Sequence, residues 1–266
     1  MATPVASSLA LFPPALRMLE VFAIRLAAGF AAALLCLPTG VVEPRFYRLH
    51  LTIAVCFLAA AAVFAWQHPH DAFWLPFSLG FFCLLAGAWS WSFAEYAFAR
   101  LPTTALGLAA LLASLILLRG WDRPLADQGS DFLDDLSAAL LLGHTVTAML
   151  LGHWYLIAPN LSIEPLLRLQ RWLFASLGLR AVAVGLSLGL ALAAGRSLDQ
   201  PAWLWLAPRV LAGLVGAAGL TWMAWQSARL HATQSATGIL YVVTVFVFIG
   251  ELTDQLLRQH LLGESM

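Results

Sequence analysis

The chain has 266 residues, of which 61% are hydrophobic and only 11% charged; soluble domains carry about a quarter charged residues, so its solvent is lipid and nothing in it reads as a soluble catalytic domain. Its formal net charge is zero and its 14 basic residues are all arginine, which offers no basic surface to nucleic acid. The apolar runs are long, continuous and rich in Leu and Ala, unlike the roughly ten-residue alternation of a membrane β-barrel.

At about twenty apolar residues per crossing, the chain predicts an all-α polytopic protein with eight spans near 18–38, 49–66, 72–98, 103–118, 136–157, 172–194, 202–225 and 238–258. The stretch to Pro14 lacks a basic n-region and leads into a full-length span, so it reads as a retained tail. Turn residues punctuate the connections: Pro38-Thr39-Gly40, His68-Pro69-His70-Asp71, Arg123-Pro124, Pro159-Asn160 and Asp199-Gln200-Pro201. The longest connection, around 119–135, is acidic, with Asp122, Asp127, Asp131, Asp134 and Asp135. Tryptophans gather near the span ends as an interfacial belt. Arg45, Arg48, Arg100, Arg168, Arg171 and Arg229 on the odd-numbered loops face Arg17, Arg119, Arg123, Arg196 and Arg258 on the other side. This small excess leans toward odd loops in the cytoplasm and both termini outside a cell inner (plasma) membrane.

The connection after the first span reads Pro38-x-x-x-x-Glu43-Pro44 and the one after the fifth reads Pro159-x-x-x-x-Glu164-Pro165, each followed by an arginine, Arg48 and Arg168. Ala99-Arg100-Leu101 and Ala228-Arg229-Leu230 match at a similar offset. Together they predict a tandem repeat of four-helix units, 1–120 and 121–266, in parallel orientation because each unit has an even number of crossings. Gly185 and Gly189 in span six, with Gly213, Gly216 and Gly219 in span seven, are expected to permit close helix approach.

A charge in hydrocarbon costs at least about 2.5–3.5 kcal/mol on insertion scales, so each needs a partner or a cavity. At about 1.5 Å per residue, Arg25, His144, Arg209 and Glu251 fall in one layer roughly 10 Å from the even-loop face. Arg25 with Glu251 is the expected ion pair, which leaves His144 and Arg209 for a polar ligand or each other; a purely structural network is the competing reading. Arg180 stands apart near mid-membrane in span six. Near the opposite face lie His50, Glu95, Arg100, His153 and Tyr155. His144 and His153 are nine residues apart and cannot share one iron; bis-His haem ligation would need His153 with His50 or His231, and no repeated His spacing marks such a site. Cys36, Cys56 and Cys83 stand singly, without the clustering that zinc or an iron–sulfur cluster requires. The His68-x-His70-Asp71 turn reads as interfacial, so no metal centre is expected.

The last span, Tyr241 to Leu252 with Gly250-Glu251-Leu252, resembles the closing helix of the membrane-anchor subunits of the polysulfide reductase and DMSO reductase family. Thr253-Asp254-Gln255 stands where that family commonly has Gly-Arg, and Arg258 comes later. The eight spans, paired units and external termini agree with the family. The resemblance implies a subunit of a multi-subunit oxidoreductase, with no haem or iron–sulfur cluster of its own, that binds a quinone (menaquinone or ubiquinone) near the outer face beside an iron–sulfur or cytochrome partner. On that reading His144 is hydrogen-bond partner and proton exchanger for a quinone oxygen, Glu251 carries protons, Arg25 is its charge partner and Arg209 completes the binding layer. A small transporter or proton-coupled permease is the alternative, since parallel repeats with midplane charges also build transporters; against it, no span shows the Gly/Pro interruption at mid-depth that often builds a substrate site. H-E-x-x-H, G-x-S-x-G and paired-carboxylate motifs are absent, which disfavours a membrane hydrolase.

Overall fold

A computed structural model describes residues 13–65, 71–119, 125–158, 161–193, 195 and 200–263. Among them no strand occurs, and eight helices are long and apolar enough to cross a membrane. The protein is an all-α, multi-pass membrane protein. Its helices are α1 (Pro13–Leu35), α2 (Pro44–Ala65), α3 (Asp71–Ser90), α4 (Arg100–Arg119), α5 (Leu125–Ile157), α6 (Glu164–Ala193), α7 (Gln200–Arg229) and α8 (Thr233–Gly263). The expected turns at 68–70, 123–124, 159–160 and 199, and the unit boundary at 120/121, lie outside the described residues.

The two Glu-Pro motifs play one role. Pro44 opens α2 and Glu164-Pro165 opens α6; proline suits the first turn because its missing N–H would have no intrahelical partner there and its φ is preset for a helix. The second match is looser, since Arg100 begins α4 whereas Arg229 ends α7. The expected third span is shorter than the 72–98 stretch: α3 stops at Ser90, and a short 3₁₀ turn, Ala94–Ala99, leads into α4. Arg100 closes that corner by donating to the Ser90 and Phe93 carbonyls at 3.4 and 3.1 Å and lying 4.5 Å over the Trp91 ring.

The largest correction concerns the acidic connection. With no proline from Leu125 to Ile157, the chain is helical throughout, so Asp131, Asp134 and Asp135 belong to α5 rather than to a loop. Hydropathy moved the start of this span to 136 because it counts carboxylates as if each faced lipid.

Within the first four helices α1 packs on α2 and α4, and α3 on α2 and α4; within the last four α5 packs on α6 and α8, and α7 on both of those. Helices α1 and α5 join the two sets. They are also the most enclosed, with 78% and 72% of their apolar windows buried, while no other span exceeds 44%. At their crossing a Cβ on Gly29 or Gly143 would fall onto the backbone of the other glycine. A second close approach pairs Gly213 of α7 with Gly250 of α8, where an added Cβ would sit 2.6 Å from the opposing Cα. Gly216 is also a contact point, against Phe246, whereas Gly185, Gly189 and Gly219 face open space and bring no helices together.

Overpacking a close contact typically costs 1–3 kcal/mol, more when backbone must move. Gly29→Leu and Gly143→Leu should therefore lower the thermal midpoint in detergent and broaden the size-exclusion profile. Gly185→Leu and Gly219→Leu should leave both unchanged, and equal losses in all four variants would refute the close-packing role.

Candidate functional site: a buried ionic network and an isolated histidine

The charged residues of five helices meet inside the membrane span. From α1, Arg25 donates through Nε to Asp135 Oδ1 at 2.9 Å and through Nη2 to Asp134 Oδ2 at 2.8 Å and Asp135 Oδ1 at 2.5 Å. The expected contact with Glu251 exists only as a longer ion pair of 3.8 Å. Glu251 is instead clasped by Arg180 of α6, whose Nε and Nη2 each reach a different carboxylate oxygen at 2.7 Å. Arg180 also donates to Asp254 Oδ2 at 2.7 Å, Asp134 Oδ1 at 2.5 Å and Ser137 Oγ at 3.2 Å. Far from standing apart, Arg180 is 1% exposed and reaches Glu251, Asp254, Asp134 and Ser137.

Arg209 of α7 pairs closely with Asp254 and lies 3.8 Å from Asp134. Arg258, on the last turns of α8, pairs with Asp134, with Asp254 at 3.4 Å and with Asp131 at 3.6 Å. Four guanidinium groups thus meet the carboxylates Asp134, Asp135, Glu251 and Asp254, all buried, with Asp131 at the margin. Removing an ion from water costs several kcal/mol, repaid only where geometry is good and remaining donors and lone pairs are occupied. The bidentate Arg180–Glu251 clasp meets that condition.

Counted at about 1.5 Å per residue from the span starts at Arg17 and Gln200, and from the span end at Arg258, Arg25, Arg209 and Glu251 lie roughly 10–14 Å inside the same face. Those three share a layer as expected. His144 does not: it is ten residues beyond Asp134, about 15 Å along α5. The mistaken start of α5 had placed it too near the even-loop face.

His144 has its own surroundings. Its Nδ1 lies 2.7 Å from the Leu140 carbonyl, which can only accept, so this nitrogen carries the proton; Ser176 Oγ of α6 is 3.1 Å from the same atom. The ring is nearly parallel to Trp172, with centroids 6.2 Å apart and 15° between planes, and Trp172 is 45% exposed on the outer surface. With Nδ1–H committed, Nε2 is a lone-pair acceptor; it is buried and has no protein partner.

Comparison with known protein families, curated proteins and solved structures finds no match to this chain. Its function is therefore argued from the geometry.

Among the described residues no group of three or more His, Cys, Asp or Glu side chains is arranged to hold a metal ion. His50 is buried, whereas His153 and His231 are exposed. His68 and His70 lie outside the described residues. Sequence reasoning missed Asp134, Asp135, Arg180, Asp254 and Arg258 as site residues. One available signal was the spacing of Glu251, Asp254 and Arg258, which places all three on one face of α8.

Leaving a buried charge unpartnered costs about 3–5 kcal/mol. Arg180→Leu strands Glu251, Asp134 and Asp254 in excess negative charge, so the variant should lose most of its folded yield. Arg171→Ala, which removes the exposed pair with Glu164 and a 3.4 Å contact to the Leu167 carbonyl, should change stability by less than about 1 kcal/mol. Thermal unfolding followed by size-exclusion fluorescence distinguishes the two, and a tolerated Arg180→Leu would rule out the network as the fold's anchor.

Proposed function

We propose that the chain is a quinone-interacting integral membrane subunit of a respiratory oxidoreductase, passing electrons between the quinone pool and an iron–sulfur or cytochrome partner. The observation that carries this reading is His144: a membrane-embedded imidazole whose tautomer is set by Leu140 and whose Nε2 has no protein partner. A quinol hydroxyl is the complementary donor to that lone pair. The half-exposed Trp172 ring beside it supplies a flat apolar wall reachable from lipid. The residues present thus fit a quinol head group at His144.

The ionic network does not offer the same fit. Its carboxylates are engaged by arginines, so Arg25, Arg209 and Glu251 support the reading as carriers of charge rather than as direct ligands to the ring. Glu251, Asp254, Asp134 and Asp131 form a carboxylate ladder linked by Arg180 and Arg258. The ladder ends where Arg258 and Asp131 are 16% and 13% exposed. The ladder lies on the even-loop side of His144, about 15 Å from it along α5, and on this reading protons released by quinol oxidation leave toward that face. That face is outside in the orientation proposed from the arginine count, with both termini external and the protein in the inner membrane.

A specific observation favours the alternative, a proton-coupled transporter. Helix α7 is interrupted after all: Pro208 precedes a π-helical stretch, Leu211–Gly216, midway along the span and next to Arg209. Helix irregularities of this kind recur at functional sites, and broken helices form transporter binding sites.

Purification from native membrane in mild detergent should retain a stoichiometric redox subunit, identified by mass spectrometry. His144→Leu should assemble normally yet lose quinol-dependent electron transfer by roughly tenfold or more, the cost of one buried hydrogen bond. A chain that purifies alone and drives proton flux or solute uptake in liposomes without a redox partner would replace this reading with the transporter.

A further inference from the structure

The half of the membrane away from the ionic network holds a second set of polar groups. Phe46 of α2 is fully buried, and its ring meets His50 at 3.8 Å, Trp154 of α5 at 5.7 Å and Tyr47 at 6.3 Å between centroids. Phe30 of α1 closes on His50 at 5.8 Å. This aromatic cluster therefore stands at the junction of the two four-helix sets. Three of its members carry buried polar atoms without a hydrogen-bond partner: Tyr47 Oη, His50 Nε2 and Trp154 Nε1. Thr147 Oγ1 is a fourth, two turns from Trp154 on the same stripe of α5.

Unpaired polar groups are costly in a hydrocarbon environment, and four of them in one region call for a polar guest. Their chemistry defines it. His50 Nδ1 lies 2.7 Å from the Phe46 carbonyl, so that nitrogen holds the proton and Nε2 can only accept. Trp154 Nε1–H can only donate. Tyr47 does either, and its ring is fixed by stacking on Trp91 at 4.0 Å and 8°. The guest presents one hydroxyl donor and one oxygen acceptor on a flat ring that sits among aromatic side chains. Arg168 of α6 acts electrostatically on Tyr47 and on Cys36 from the rim of the same region.

We propose that Tyr47, His50 and Trp154 form a second site for a quinol or quinone head group, separate from His144 and nearer the opposite membrane face. The assignment of ligand class rests on the function proposed above; the assignment of the site rests on these side chains.

The test is equilibrium binding of ubiquinol-1 to the full chain in lipid nanodiscs. The wild-type chain is expected to bind at two sites. Tyr47→Phe and Trp154→Phe keep aromatic bulk and remove one polar group each; each should weaken one site about three- to tenfold and spare the other. His144→Leu should abolish only the other. A single site lost in Tyr47→Phe and Trp154→Phe but kept in His144→Leu would uphold this site and overturn the role of His144. A single site lost only in His144→Leu would overturn this inference and leave the proposed function standing. No binding to the wild-type chain would overturn both.

Discussion

No ion can stand alone in the membrane core, and this fold is arranged around satisfying that constraint at Asp134. Its carboxylate is paired with Arg25 of α1, Arg180 of α6 and Arg258 of α8, with Arg209 of α7 nearby. Helix α5 supplies the acid and four other helices supply the bases. Neither set of helices is electrostatically complete alone: without α1, Asp135 loses the guanidinium that holds it at 2.5 Å, and without α5, Arg25 loses the carboxylates it hydrogen-bonds. Docking of the two four-helix sets and neutralisation of the network are one event.

The close glycine contacts explain how these side chains reach one another. Gly29 lies one turn beyond Arg25, Gly213 one turn beyond Arg209, and Gly250 immediately precedes Glu251. At each place two backbones approach far more closely than any side chain would permit, and Arg25 and Arg209 thereby reach carboxylates on the helix they face, Asp135 of α5 and Asp254 of α8. The Gly250-Glu251 step therefore has a physical meaning independent of any resemblance. The glycine seats α8 on α7, and the glutamate enters the clasp of Arg180. In membranes, where lipid tails offer no hydrophobic drive for helix association, such packing and polar contacts carry the assembly.

The class and the number of crossings were legible in the sequence because hydropathy acts locally, whereas the Glu-Pro motifs, read as connections, in fact open α2 and α6. The layer holding Arg25, Arg209 and Glu251 was legible too, since depth follows from counting residues along helices whose ends were nearly right. Asp134 and Asp135 were hidden because their burial depends on arginines more than 40 residues away in sequence, and a carboxylate without a visible partner reads as surface. That one boundary error displaced His144 into the wrong layer. Arg180 reads as standing apart in the sequence because its three carboxylate partners lie on helices whose facing cannot be known from one sequence. The π-helical turn of α7 was likewise obscured: Pro208, Gly213 and Gly216 are ordinary in membrane helices, and only packing against Gly250 and Phe246 shows why the regular ladder yields there.

The two polar regions differ in a way that separates holding the fold from meeting a ligand. In the ionic network the Arg180–Glu251 clasp uses its hydrogen-bonding groups, so a ligand at the clasp would have to displace charge pairs whose loss costs more than a neutral contact returns, while Arg25 Nη1 and Arg209 Nε and Nη2 keep unbonded donors. Around His144, and around Phe46, the reverse holds: each histidine has its proton pinned to the carbonyl four residues earlier, and each turns a bare lone pair away from its own helix. Fixing the tautomer is useless for packing, since an apolar residue would fill the space without an orphaned acceptor. It is useful where a neutral donor must be recognised in a fixed direction. The charged residues therefore build the scaffold, and the uncharged imidazoles present the acceptors that, on the function proposed above, meet a lipid-soluble hydroxyl.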